Sequence, residues 1–114
     1  VEKIESITES VIREAKEETN LDIENIKYVG MISWYDMDNN DRIVGFLYET
    51  DDCSGELIKE NVEGTLEFID YEDLKNMDGH SDSMGEIFAI YDGKYSEIVL
   101  YYEDNKCVKK ECYK

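Results

Sequence analysis

Basic residues are scarce in this chain. Its 114 residues carry 12 Lys and Arg against 29 Asp and Glu, a formal net charge of −17. A surface of that sign repels the phosphate backbone of bare nucleic acid, so a nucleic acid polymer is not expected as a partner. A phosphate-bearing small molecule stays open, because a divalent ion can sit between protein carboxylates and phosphate oxygens. Cysteine is scarce too. Cys53, Cys107 and Cys112 are odd in number and lack CxxC spacing. That argues against a disulfide framework or a zinc site and for a reducing, cytoplasmic setting. No apolar run approaches the roughly 18 to 20 residues of a membrane span. With no signal peptide at the front either, no membrane partner is expected. The single histidine, His80 in "DGHSDS", stands in a loop-like stretch where exposure or capping is the ordinary outcome. Linkers, repeats and low-complexity segments are absent.

What is present suffices for one modest core. Apolar residues make up 41% and aromatics 11%, which points to a single folded domain over 1–114. Ser6-Ile7-Thr8-Glu9 is a capping box that starts a helix. Ile7, Val11 and Ala15 form an apolar column, flanked by Ile12, and Asn20 suits the left-handed residue that ends a helix. A helix is predicted over Ser6 to Thr19. "IKYVGMISWY" and "RIVGFLYET", separated by "DMDNND", read as a hairpin with a longer loop. "DDCSGEL" reads as a turn or loop, "GTLEFID" as a strand and "YEDLKNM" as a short helix. "SDSMGEIFAIYDG" reads as a helix with Ser and Asp cap candidates. "SEIVLYYEDNKCVKKECY" is a hairpin turning near Asp104-Asn105. This order predicts an α+β fold with a mixed or antiparallel sheet. Trp34, Tyr35, Phe46 and Tyr48 are expected in the core, with one able to stack on a base. "DMDNND" resembles the start of a calcium loop, but Asp41 stands at its glycine position and Leu47 at its twelfth, so a polar hairpin loop is expected.

Glu14, Glu17 and Glu18 lie one turn apart on the first helix and face one direction. Like charges so placed repel, and partial burial raises the cost. Two readings follow from the spacing: a solvated acidic face, or oxygen ligands for a hard divalent cation. Arg13, one turn before Glu17, can take one of the carboxylates.

The pattern around these residues is specific. Glu5, seven residues, then Arg13-Glu14-Ala15-Lys16-Glu17-Glu18-Thr19-Asn20-Leu21 resembles the box of the Nudix hydrolases. That box reads G, five residues, E, seven residues, R-E-U-x-E-E-x-G-U, with U apolar. Asn20 stands where the box has Gly, a mild change since both accept the left-handed conformation. The box's leading Gly would fall before Val1. "VEKIES" looks like the family's "VEKGES", with Ile4 in place of Gly. Further on, "GFLYETDDCSGELIKENVEGTLEFIDYEDL" resembles a segment of MutT-like nucleotide pyrophosphatases. "YSEIVLYYEDNKCV" resembles the closing hairpin of the bacterial 8-oxo-dGTP diphosphatase group.

The resemblance implies a Nudix-type α/β/α sandwich with a mixed sheet, truncated at the N-terminus so that its front strands are absent. It implies hydrolysis, dependent on Mg²⁺ (or Mn²⁺), of a nucleoside diphosphate-linked substrate. The expected substrate is a (d)NTP or oxidised dGTP, released as monophosphate and pyrophosphate. Glu14, Glu17 and Glu18 would hold the metal, with Glu17 and Glu18 central. Arg13 would orient a glutamate and Glu5 would support the helix start. Glu63, in "NVEGTL", would be a further ligand or the general base, with Glu60 the alternative. Residues that read the base cannot be carried over. An unpaired sheet edge left by missing strands would invite a homodimer. The alternative is a non-catalytic Nudix-fold module that binds a nucleotide or a partner, against which the retained acidic pairs argue.

Overall fold

Helix α1 shows how local signals become structure. In the computed structural model, which describes residues 4–61, 64–77, 79 and 83–114, it spans Ile7–Thr19 with Ser6 as its N-cap. The Ser6 Oγ accepts the Glu9 N–H at 3.0 Å, and Glu9 Oε1 accepts the Ser6 N–H at 2.9 Å. The capping box therefore satisfies two donors that the first turn leaves without partners. At the other end Asn20 adopts φ 68°, ψ 9°, and its N–H donates to the Lys16 carbonyl at 2.9 Å. No residue of α1 is buried. Ile7 is exposed while Val11, Ile12 and Ala15 are half-buried.

The chain divides into two compact units, Val1–Lys27 with Glu49–Leu74, and Tyr28–Tyr48 with Lys75–Lys114. In the first unit the left-handed turn at Asn20 delivers Leu21, which is buried, and then strand β1, Asp22–Glu24. β1 pairs antiparallel with a strand at Asp52–Ser54, Ile23 facing Cys53. The expectation of a loop at "DDCSGEL" is corrected here. A three-residue strand flanked by Asp and Gly carries too short a pattern to announce itself, and its partner strand β1 was not foreseen.

The second unit holds the main sheet. β2, Lys27–Asp36, and β3, Asp41–Glu49, form the expected hairpin around Met37–Asn40. In the first unit the Asp52–Ser54 strand is β4, and β5, Glu60–Asn61, pairs antiparallel with β6, Gly64–Thr65. "GTLEFID" thus contributes only two residues to a strand, and 66–70 are irregular. α2, Tyr71–Lys75, and α3, Met84–Tyr91, are the expected helices. Ser83 caps α3 by position but makes no side-chain cap bond; Asp82 lies outside the described residues. β7, Glu97–Glu103, and β8, Lys106–Tyr113, close the chain through Asp104 and Asn105, whose φ values of 55° and 62° are those of a two-residue hairpin turn.

The sheet order is β3-β2-β7-β8. β2 runs parallel to β7, with Ile32 opposite Ile98 and Trp34 opposite Leu100, and β7 pairs antiparallel with β8. The sheet is mixed and the fold α+β, as the sequence order predicts. Ile32, Ile98 and Leu100 on the sheet and Ile90 on α3 form the core, with Trp34, Leu47 and Tyr102 packed against it. Gly30 permits this approach: a Cβ there would meet the Ser96 carbonyl oxygen at 2.5 Å and Ile90 Cγ2 at 2.6 Å. Phe46, expected in the core, is 42% exposed, because it follows Gly45 on the opposite face of a strand whose core side already holds Leu47.

Candidate active site

Arg13 organises the acidic helix. Its Nη2 and Nε reach Glu5 Oε1 at 2.7 and 3.0 Å, and its Nη1 reaches Glu17 Oε2 at 3.0 Å. Glu14 Oε1 is 3.9 Å from Nη2 and accepts the Ser10 hydroxyl at 3.4 Å. Four residues singled out from the sequence, Glu5, Arg13, Glu14 and Glu17, are therefore together. The Glu5 side chain is only 7% exposed. A carboxylate so enclosed needs a partner, and the fork of the guanidinium supplies two bonds to one oxygen. The bond to Glu5 first, and that to Glu17 second, hold the Arg13 pKa above its ordinary value, so Arg13 stays a cation.

Glu14, Glu17 and Glu18 are exposed. They are hard oxygen donors within reach of solvent, on one helix face, which is the donor chemistry that Mg²⁺ or Mn²⁺ takes. Their side chains are not gathered around a point. Among the described residues no three His, Cys, Asp or Glu groups stand close enough to hold a metal ion, and Glu17 is turned to Arg13. The fit is one of donor type, charge and shared face.

Glu63 and His80 lie outside the described residues. Glu60 is exposed at the start of β5. Its segment is tied to the end of α1 within the same unit. The Ile58 N–H donates to the Thr19 carbonyl at 3.1 Å, and Asn20 Nδ2 donates to the Glu56 carbonyl at 2.9 Å. Asn20 thus does more than tolerate a left-handed turn, since glycine could not make the second bond. The loop at 36–41 is a turn closed by its own aspartate. Asp36 Oδ1 accepts the N–H of Asp38 and Asn39, and Oδ2 accepts Asn39 Nδ2, as a polar hairpin loop requires.

Sequence reasoning did not find the cleft of about 340 Å³ at the turn end of the four-stranded sheet. Trp34, Ile43, Tyr102, Asp36, Asp41 and Asn105 line it. Its aromatic and polar walls come from strands far apart in sequence, so no local motif marks it. The alternation of aromatics on the hairpin was the one available signal.

The family model for the NUDIX domain matches residues 1–89. A Bacillus subtilis (strain 168) protein described as the uncharacterized Nudix hydrolase YvcI is 35% identical over 89 residues, covering 70% of this chain and 56% of that protein. The chain thus matches little more than half the length of that relative. The crystal structure of the mutator MutT protein from Bacillus halodurans superposes with a TM-score of 0.77 over 98% of this chain and 76% of that one. At 22% identity this likeness establishes the fold alone. Among the described residues no helix is long and apolar enough to cross a membrane.

Proposed function

The chain belongs to the Nudix family, and from that premise we propose that it serves hydrolysis of a nucleoside diphosphate linked to another group. The proposed substrate is a (d)NTP or oxidised dGTP, leaving as monophosphate and pyrophosphate. The observation that carries the reading is the helix α1, where Arg13 binds Glu5 and Glu17 and the acids Glu14, Glu17 and Glu18 share a solvent-facing stripe. A solvated helix has no use for an enclosed Glu5–Arg13 pair that fixes where Glu17 points.

In this reading Glu14, Glu17 and Glu18 would hold Mg²⁺ or Mn²⁺. The chemistry such an ion supplies is neutralisation of phosphate charge and a more acidic attacking water. Arg13 positions Glu17 and draws repulsion out of the stripe. Glu5 anchors Arg13 at the entry to the helix. Glu63, or Glu60 in its place, accepts the proton that the water loses. The two units act as one domain in a reducing cytoplasm, to which the free thiols of Cys53, Cys107 and Cys112 are suited. A homodimer would use the outer edges of the main sheet, β3 and β8. The second reading, a non-catalytic binding module, draws on the acids not being gathered about one point.

The test is pyrophosphate release from a nucleotide panel with Mg²⁺, beside Mn²⁺ titration of wild type and Glu17→Gln/Glu18→Gln. Wild type should bind Mn²⁺ and turn over; the double variant should lose both while staying folded, since it relieves like-charge repulsion. Equal Mn²⁺ binding by both would sink the metal assignment. Metal binding without turnover of any nucleotide would favour the binding module.

A further inference from the structure

Several bonds hold the left-handed turn that ends α1. The Asn20 N–H donates to the Lys16 carbonyl at 2.9 Å, and Lys16 Nζ reaches the Asn20 carbonyl at 3.3 Å and Asp22 Oδ2 at 3.2 Å. The Leu21 N–H donates to Thr19 Oγ1 at 3.1 Å, and Leu21 itself is buried. The backbone of Asn20 is thus fixed on both sides, and with it the direction in which its side chain leaves the chain.

That side chain reaches a segment 36 residues further on. Its Nδ2 donates to the Glu56 carbonyl at 2.9 Å, and beside it the Ile58 N–H donates to the Thr19 carbonyl at 3.1 Å. Both bonds lie within the first unit. Gly55, at φ 95°, permits the close approach, since a Cβ there would stand 3.2 Å from the Asn20 carbonyl oxygen. The two bonds leave α1 from neighbouring residues and arrive two residues apart. One bond alone is a pivot about which the segment can swing. The pair fixes its direction as well. The Leu66 N–H donates to the Lys59 carbonyl at 2.8 Å, so the direction set at Ile58 passes on to β5 and β6. From Ile58 to Glu60 the chain spans about 7 Å at most. Glu17 and Glu18 stand on the same last turn of α1 as this clamp, so the clamp refers the segment to the acidic stripe itself. The glycine of the family box offers the left-handed turn and no donor. In this chain the second point of attachment belongs to Asn20.

We propose that Asn20 is a positioning residue for hydrolysis: its side-chain amide, together with the Thr19 carbonyl, orients the Glu56–Asn61 segment against the acidic end of α1. It acts through where Glu60 and the residues just after it stand. A general base works only within hydrogen-bond reach of its proton, and a misplacement of about 1 Å can cost about a hundredfold in rate. The inference rests on the reading above in taking the base from Glu60 or the residues that follow it.

Asn20→Gly keeps the left-handed turn and removes the amide. Asn20→Asp keeps the shape and sets a carboxylate where the donor was. Each is compared with wild type well below its melting midpoint, by pyrophosphate release with Mg²⁺, Mn²⁺ titration and amide hydrogen exchange. Both variants should lower kcat about tenfold, with KM and the Mn²⁺ Kd within about twofold of wild type. The Ile58 N–H should exchange about fivefold faster, the size of one lost exposed bond, while the amides in the middle of α1 keep their rates. A merely structural cap would lower the melting midpoint and leave the kcat of the folded protein alone. Asn20→Gly decides if circular dichroism shows Asn20→Asp unfolded. Unchanged kcat, a loss confined to KM or to Mn²⁺ binding, or unchanged Ile58 exchange would overturn the proposal. Turnover by wild type that the variants match refutes this inference alone. No turnover of any nucleotide by wild type refutes the hydrolase reading, and the positioning role with it.

Discussion

Replacing Asn20 separates the two tasks that this residue performs at the end of the acidic helix. Its φ of 68° places it in the left-handed region, where an alanine costs about 1 kcal/mol more than an asparagine or glycine. Its Nδ2 donates to the Glu56 carbonyl at 2.9 Å, a solvent-exposed bond contributing about 0.5 to 1 kcal/mol. Asn20→Ala loses both and should cost about 2 kcal/mol. Asn20→Gly restores the residue that the family box prescribes. It relieves the backbone, loses the bond and adds freedom to the unfolded chain, for a net cost of about 0.5 to 1 kcal/mol. In a chain of this size each kcal/mol moves the thermal midpoint by about 4 °C. Melting followed by circular dichroism should therefore rank wild type first, Asn20→Gly about 2 to 4 °C lower and Asn20→Ala about 8 °C lower. Refutation would be Asn20→Ala melting with wild type, or Asn20→Gly melting well above it. The first outcome would deny the strain, the second the bond.

Gly30→Ala should destabilise by about 2 to 3 kcal/mol in urea unfolding, because the Ser96 carbonyl that its Cβ would strike is held by the Met31 N–H at 3.0 Å. An unchanged midpoint would mean that the strand moves freely there. Asp36 is held below the usual carboxylate range, chiefly by the Asn39 side-chain N–H. A depressed folded value gives stability that is complete above the ordinary aspartate pKa of about 4 and lost as pH falls through the lower folded value. Asp36→Asn should flatten the acid limb of thermal midpoints below about pH 4; an unaltered limb contradicts the loop assignment. Glu63→Gln should lower nucleotide turnover roughly tenfold or more, and Glu60→Gln less. The reverse order would make Glu60 the base.

Much of the molecule was written locally. Ser6 and Glu9 specify the start of α1 and Asn20 its end, because capping and the left-handed turn involve only residues within reach along the chain. The closing hairpin is equally local, its Asp104-Asn105 pair accepting the positive φ that the turn demands. The spacing of Arg13, Glu14, Glu17 and Glu18 needed no tertiary information to put them on one stretch of helix. Other features depended on partners distant in sequence. β1 and β4 are too short to show a pattern and exist by pairing with each other across 22–54. Whether the main sheet was mixed was settled by β2 lying parallel to β7, a choice driven by burying Ile32, Ile98 and Leu100 on Ile90. That same register brought Trp34 and Tyr102 to one face and so made the cleft. Glu5 illustrates the division most plainly. The box placed it eight residues before Arg13, but only the folded turn enclosed its carboxylate against the guanidinium, because burial is a property of what surrounds a residue and not of its neighbours in sequence.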